Sequence, residues 1–179
     1  MGISLVWFRQ DLRLEDNAAL YHAVQNSEAV IPVYIYDQAL PGQWRLGGAS
    51  RWWLHHSLRA LQLALRQKNS RLILRKGNTE TVLSALFKET GANSIYWNRC
   101  YEPYAISLEE RLAPVFSKEN VTSHCYNGTL LFNPETIHTK ADTPFKIYTP
   151  FWKRCRSMLD TSPSPLPAPE SIPLITQDI

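Results

Sequence analysis

Two apolar runs constrain this chain more than anything else in it: Leu5-Val6-Trp7-Phe8 and Ala29-Val30-Ile31-Pro32-Val33-Tyr34-Ile35-Tyr36. Neither alternates polar with apolar residues. A strand that is apolar on both faces must be covered on both, as in a parallel sheet sandwiched between helices. The first run empties into a charged stretch ending at Asp16 and Asn17, either of which can cap a helix over residues 18–24. Three further runs, residues 71–75, 94–97 and a weaker 121–126, read as strands, and helical patterns separate them. The longest helix spans 51–67 behind Ser50, with Leu54, Leu58, Leu61 and Leu65 in one apolar stripe. A third follows Gly77-Asn78-Thr79 and stops at Gly91, a C′ residue. Ser107 and Glu110 have capping-box spacing for a fourth, which Pro114 is expected to kink. Pro32 removes a ladder donor and is expected near its strand's start or at a bulge. Strands alternating with helices predict an α/β fold. It is a Rossmann-like, doubly wound, five-stranded parallel sheet of order 3-2-1-4-5 with helices on both faces.

After Asn127 the periodicity fails until a short helix near 148–155, expected to begin with Pro150. Beyond Asp160 the composition changes. Pro163, Pro165, Pro167, Pro169 and Pro173 crowd together and predict a semi-rigid extended linker rather than a packed element. The chain therefore divides into an α/β domain over 1–159 and a linker over 160–179, and reads as the front piece of something longer.

Apolar residues make up 44% of the chain, enough for a core, and the net charge is +3. With a pI of about 8.8 the chain is less basic than a dedicated nucleic-acid binder. Cys100, Cys125 and Cys155 are odd in number and far apart, neither a zinc pattern nor a disulfide framework, which favours the cytoplasm. No signal peptide or membrane-length apolar run is present.

Most enzymatic motifs are missing: no Walker A sequence, no G-x-G-x-x-G after a strand, no G-x-S-x-G elbow. Gly77-Asn78-Thr79 is read as a plain turn. His55 and His56 project about 100° apart on a helix and do not face one metal ion. Arg9, Asp11, Arg13, Glu15 and Asp16 are read as a loop braced by opposite charges. Trp7 and Trp97 are expected in the core, and Trp52, Trp53 and Trp152 against a partner domain. Trp44, in a Gly/Pro-rich loop, is the best ligand-stacking candidate among the tryptophans. Lys153, Arg154 and Arg156 are read as a solvated helix face.

Trp7-Phe8-Arg9-Gln10-Asp11-Leu12-Arg13-Leu14-Glu15-Asp16-Asn17 resembles the amino-terminal signature of the DNA photolyase and cryptochrome family. The resemblance continues through Gly48-Ala49-Ser50-Arg51-Trp52-Trp53-Leu54, Trp97-Asn98-Arg99 with Glu102-Pro103, and Tyr148-Thr149-Pro150-Phe151-Trp152-Lys153-Arg154. It implies the amino-terminal antenna domain of a class I type deoxyribodipyrimidine photolyase, a carbon-carbon lyase. In that family a helical domain beyond the linker carries FAD, binds damaged DNA and splits cyclobutane pyrimidine dimers with blue light. That domain has no counterpart here, so this chain alone is expected to repair nothing, to hold no catalytic residue and no metal, and to be a monomer. The resemblance loosely places the antenna chromophore among Tyr36, Asp37, Arg51, Cys100 and Glu102. Folate-binding relatives carry Asn-Glu where Tyr104-Ala105 stand, and deazaflavin-binding relatives often carry Asp where Cys100 stands. Methenyltetrahydrofolate, a deazaflavin, a flavin or an empty pocket all remain open. The alternatives are a cryptochrome photoreceptor domain and a stand-alone nucleotide-binding module. The second would need a glycine-rich loop where Asn98-Arg99-Cys100-Tyr101-Glu102-Pro103 stands.

Overall fold

A computed structural model describes residues 2–159 and 164–174. The sheet strands are β1 (Ile3–Phe8), β2 (Ala29–Tyr36), β3 (Ile73–Lys76), β4 (Ser94–Asn98) and β5 (Thr122–Tyr126). They lie in the order β3-β2-β1-β4-β5, and every pairing is parallel, as predicted. The helices are α1 (Ala18–Asn26), α2 (Gly48–Arg66), α3 (Thr79–Thr90), α4 (Pro103–Lys118) and α5 (Tyr148–Arg156).

The continuous apolarity of β1 serves two cores. Leu5 and Trp7 enter one cluster with Leu83 and Phe87 of α3 and Leu108, Leu112 and Phe116 of α4. Val6 and Phe8 enter the other with Ala19, Leu20 and Ala23 of α1 and Leu61 and Leu65 of α2. Successive side chains of a strand point to opposite faces, so a strand covered on both sides buries even its one polar residue, Ser4, whose hydroxyl is hydrogen-bonded to Ser27 and Ser94. Each such fully buried side chain contributes about 1.5–3 kcal/mol. By contrast β5, at the sheet edge, has no fully buried residue.

Local signals placed several boundaries. Asn17 caps α1, its side chain accepting from the Leu20 amide, and Asn78 caps α3 through Thr81. Gly91 closes α3 at φ 66°, the left-handed conformation that favours glycine. Other boundaries differ from expectation. Helix α2 begins at Gly48 behind Gly47, and Ser50 does not cap it. Helix α4 begins with Pro103 at its first turn, four residues ahead of Ser107 by numbering. The early start adds Ala105 to the inward stripe of Leu108, Leu112 and Phe116, and buried area outweighs a surface cap. The helix also runs through Pro114, because that stripe anchors it on both sides and the exposed proline leaves its orphaned carbonyl to water. Helix α5 starts two positions before Pro150, at Tyr148.

Pro32 is neither at a strand end nor at a bulge. It pairs in continuous register with Val6, mid-strand. Val30 donates to Pro173 O. Pro32 is two residues further on and faces the same side, where β3 begins pairing only at Val33–Ile73. The missing donor thus falls at the mouth of a ladder, where it breaks no bond.

The expectation of an unpacked proline segment fails over residues 164–174. Ile172 is 1% exposed in the α1–α2 core, and its amide donates to Lys68 O. Leu166 exchanges bonds with Asp16: its amide reaches Asp16 Oδ1, and its carbonyl accepts from the Asp16 amide. The segment is extended, but Ile172 is an apolar plug that anchors it. Residues 160–163 and 175–179 of the expected linker, Pro163 included, lie outside the described residues.

Candidate functional site

The carboxyl ends of β1, β2 and β4 open into a cavity of about 300 Å³. Strand ends on either side of a change in winding direction leave such a crevice, and here the change falls between β1 and β4. Aromatic rings form much of its wall: Trp7 from β1, Tyr34 and Tyr36 from β2, and Tyr104 from α4. Ala105, Leu108 and Leu40 add apolar surface.

The wall below β1 is tied internally. The Asp11 carboxylate, 4% exposed, accepts from the Arg9 amide at 2.9 Å, Asn98 Nδ2 at 2.6 Å and Asn17 Nδ2 at 3.3 Å. Asn98 also donates to Asn17 Oδ1 at 2.8 Å and accepts the Ala19 amide at 3.1 Å. Arg13 reaches back to Asp16 O at 2.9 Å and across to Gly128 O at 2.5 Å. Burial makes each of these bonds costly to lose. Of the charged signature, Asp11, Arg13 and Asp16 brace the loop, but through amide groups and backbone carbonyls rather than by the pairing of opposite charges that was expected.

Arg9 is the exception. Its Nη2 donates to Asn98 O at 2.6 Å and to Glu109 Oε1 at 2.8 Å, and its guanidinium lies 4.7 Å from the centre of the Trp7 ring. Its Nε and Nη1 are buried without a hydrogen-bond partner, and the residue lines the cavity. Unpaired buried donors are rare, and the ring that faces this guanidinium is that of Trp7.

The opposite wall is the loop after β2. Asp37 Oδ1 accepts the Ala39 and Leu40 amides at 3.1 and 3.2 Å, and Oδ2 accepts Thr79 N and Oγ1 at 2.9 and 3.0 Å. Its carboxylate is thus fully occupied holding the loop to the start of α3, where it also takes the amide a phosphate would need. Gly77-Asn78-Thr79 is the plain turn expected. Beyond it, Arg45 and Arg51 stand exposed at the cavity mouth.

Burial pushes the Tyr34 phenol up to about 12, helped by Tyr36 and Tyr104, so it stays a protonated donor at neutral pH. Burial likewise pushes the Cys100 thiol up to about 11 against the opposing pull of Arg9. A neutral thiol is a poor nucleophile, and Cys100 serves here as wall. All three cysteines are free.

The structure brings Tyr36, Asp37, Arg51 and Cys100 around this one cavity. Glu102 is not in its lining; it holds Gln10 Nε2 at 2.7 Å, and Gln10 lines the cavity. Tyr104 and Ala105 are themselves cavity wall. Sequence reasoning missed Trp7, Arg9, Gln10, Tyr34 and Tyr104. A signal for Tyr34 existed: it shares a strand face with Tyr36 by period two. Trp44, favoured for stacking, is 74% exposed and outside the lining, while Trp7 is within it. Trp97 is buried at 5%, as expected, and Trp52 and Trp53 are exposed on α2. His55 and His56 are exposed, and no group of metal-ligating side chains occurs among the described residues. No helix among them is long and apolar enough to cross a membrane.

A doubly wound parallel sheet with an aromatic, cation-edged crevice at its switch point defines an open α/β domain of the Rossmann-like kind. The chain belongs to the DNA photolyase family, whose model matches residues 4–170. It is 40% identical over 168 residues to a deoxyribodipyrimidine photo-lyase of Agrobacterium fabrum, covering 94% of this chain and 34% of that protein. It is 36% identical over 173 residues to cryptochrome-1 of Arabidopsis thaliana, covering 96% of this chain and 25% of that one. Among solved structures, a bacterial class III photolyase from Agrobacterium tumefaciens superimposes with a TM-score of 0.86 at 38% identity, over 99% of this chain and 36% of that one. An archaeal photolyase from Sulfolobus tokodaii, described with two FAD molecules and a novel light-harvesting cofactor, gives 0.80 at 29% identity over 96% and 38% of the two chains. The chain thus spans about a third or less of the relatives' length, and its fold is that of the photolyase amino-terminal α/β domain.

Proposed function

We propose that this chain is the light-harvesting and scaffold domain of a deoxyribodipyrimidine photolyase, with a planar pigment held in the cavity at the strand ends. The observation that carries the reading is the cavity itself: four aromatic side chains, Trp7, Tyr34, Tyr36 and Tyr104, around a pocket of about 300 Å³ beside a buried arginine with unpaired donors. Rings of that kind stack on a flat conjugated molecule, and Arg9 offers N–H donors to its carbonyl or ring nitrogen atoms. Tyr36, Asp37, Arg51 and Cys100 would frame the pigment, with Glu102 acting through Gln10. The pigment is methenyltetrahydrofolate, a deazaflavin or a flavin. When bound it supplies absorption in the near ultraviolet or blue.

In this reading the whole protein works in the cytoplasm as a monomer. A helical FAD-binding domain beyond the linker binds damaged DNA and repairs cyclobutane pyrimidine dimers. The α/β domain described here repairs nothing without that helical domain. Mixing the purified chain with each pigment and recording absorption and fluorescence quenching tests the site. Saturable quenching by one of them is expected, and its absence with all three overturns the reading. Similarity to cryptochrome-1 supports a second reading, a photoreceptor of the same architecture. A light-dependent repair assay on the full-length gene product separates the two. A nucleotide-binding module is disfavoured because the loop after β4 ends in Glu102 at the N-cap of α4, where a carboxylate repels phosphate.

A further inference from the structure

Charge is unevenly spread along this chain. Residues 38–79 carry eight of the 19 lysines and arginines and none of the 16 aspartates and glutamates, so a net charge of +3 hides a strongly positive region. Helix α2 makes up much of it. Successive helical residues turn by about 100° and rise about 1.5 Å, which sets Arg51, His55, Arg59 and Arg66 within about 80° of arc, over about 22 Å of axis. All four are exposed, and the three arginines form no ion pair among the described residues. Glu170, on the segment whose Ile172 amide bonds Lys68 O beyond the end of α2, pairs with none of them. A solvated helix face ordinarily mixes both signs in i,i+4 pairs, and α2 has no carboxylate with which to do so.

Exposed rings adjoin the stripe. Trp52, 62% exposed, borders it by angle, with its ring centre 4.3 Å from that of His56, and Trp53 follows at 70% exposure. A row of cations beside open aromatic faces has both parts of a surface for single-stranded nucleic acid: cations hold the phosphates, and rings stack on the bases. A lipid surface would need a continuous apolar face. The apolar stripe of α2 is taken up by the core through Leu61 and Leu65, which leaves two rings at one end and exposed Leu63 about 15 Å further along.

We infer that the outer face of α2 is a second binding surface, for a single-stranded nucleic acid, with Arg51, Arg59 and Arg66 on its phosphates and Trp52 stacked on a base. Apart from Arg51 these residues lie outside the cavity, so the inference stands whatever the cavity binds.

Fluorescence anisotropy with labelled thymidine and uridine single strands of about 20 nucleotides tests it, on the purified chain and on the full-length gene product. Binding is expected to weaken between about 50 and 200 mM salt with a log–log slope near −2, the signature of about three phosphate contacts. Arg59→Gln with Arg66→Gln is expected to weaken binding about tenfold at the lower salt and to reduce the slope by about 1.4. Trp52→Ala is expected to weaken it about tenfold and leave the slope unchanged. All three side chains are exposed and outside the cavity, so circular dichroism and pigment quenching should stay as in the parent. Tighter binding of one strand identifies the nucleic acid as DNA or RNA. No saturable binding at the lower salt, or binding indifferent to the arginine pair, overturns the inference. Vesicles of anionic phospholipid held by the same residues more tightly than either strand overturn it in favour of a lipid surface. A full-length product whose affinity for both strands ignores the arginine pair and Trp52 overturns it too, since the rest of the protein would then cover this face.

Discussion

The loop behind the β1 side of the cavity and the wall on its β2 side carry charge for opposite reasons. On the β1 side, Asp11, Asn17 and Asn98 are each at most 4% exposed and bonded to one another, and Arg13 is bonded to backbone carbonyls. On the β2 side, Arg45 and Arg51 stand in solvent with no ion pair among the described residues. The first has the distinctive sequence, yet most of its polar atoms hold the loop to α1, β4 and the segment after β5. The second has an unremarkable sequence and, apart from Asp37, uncommitted charges. Density of charged residues along a chain marks where a loop is fixed. Cations free of a protein partner mark where a ligand can be held. Arg9 belongs to both, with one nitrogen in the brace and two left over.

The sharpest way to break this contrast is Asn98→Ala. The substitution removes a donor to the Asp11 carboxylate and to Asn17, and the acceptor for the Ala19 amide, so a loss of about 3–5 kcal/mol in urea unfolding is expected. A loss below about 1 kcal/mol would mean that the wall is not internally braced. Next in size is Ile172→Ala, since the segment after α5 holds Asp16 through Leu166 and is anchored by that one side chain. About 2 kcal/mol is expected, the low end for core truncations because an extended segment can shift into the space. A neutral result would return the segment to the unpacked linker of the sequence reading.

Alkaline pH probes the cavity wall itself. Tyr34 has its folded pKa raised from 10.0 to about 12 and Cys100 from 9.0 to about 11, both chiefly by burial. A raised acid favours the protonated folded state. Its contribution is therefore complete below the unfolded pKa and is lost as pH climbs through the folded one. Stability should fall from about pH 9 to 12, and Tyr34→Phe should flatten the part above pH 10. An unchanged slope in the variant would place the titration elsewhere. The smallest effect is expected from Arg45→Gln combined with Arg51→Gln: stability within about 0.5 kcal/mol of the parent, with weaker pigment quenching. A clear loss of stability would show that the open wall is braced after all.

Much of the fold was legible without coordinates. Strand number, the Asn17 cap and the Gly91 stop follow from apolar period and from residues within one turn of each other, and such signals are local; the strand order followed from the rule of right-handed crossovers. Where the Ser107 capping box was read as the start of α4, the helix instead begins at Pro103 and buries more apolar surface, which only the packed sheet could decide. The candidate site was half visible, because loops at the carboxyl ends of parallel strands must flank a crevice. What each side chain does there was decided by tertiary structure alone. Asp37 is satisfied by Thr79, Asp11 by Asn98, and Ile172 reaches the strands through a core built much earlier in the chain. Periodicity along a sequence reports which face a residue takes. It carries no record of the distant partner waiting on that face, and hydrogen bonds and unpaired donors are properties of that partner.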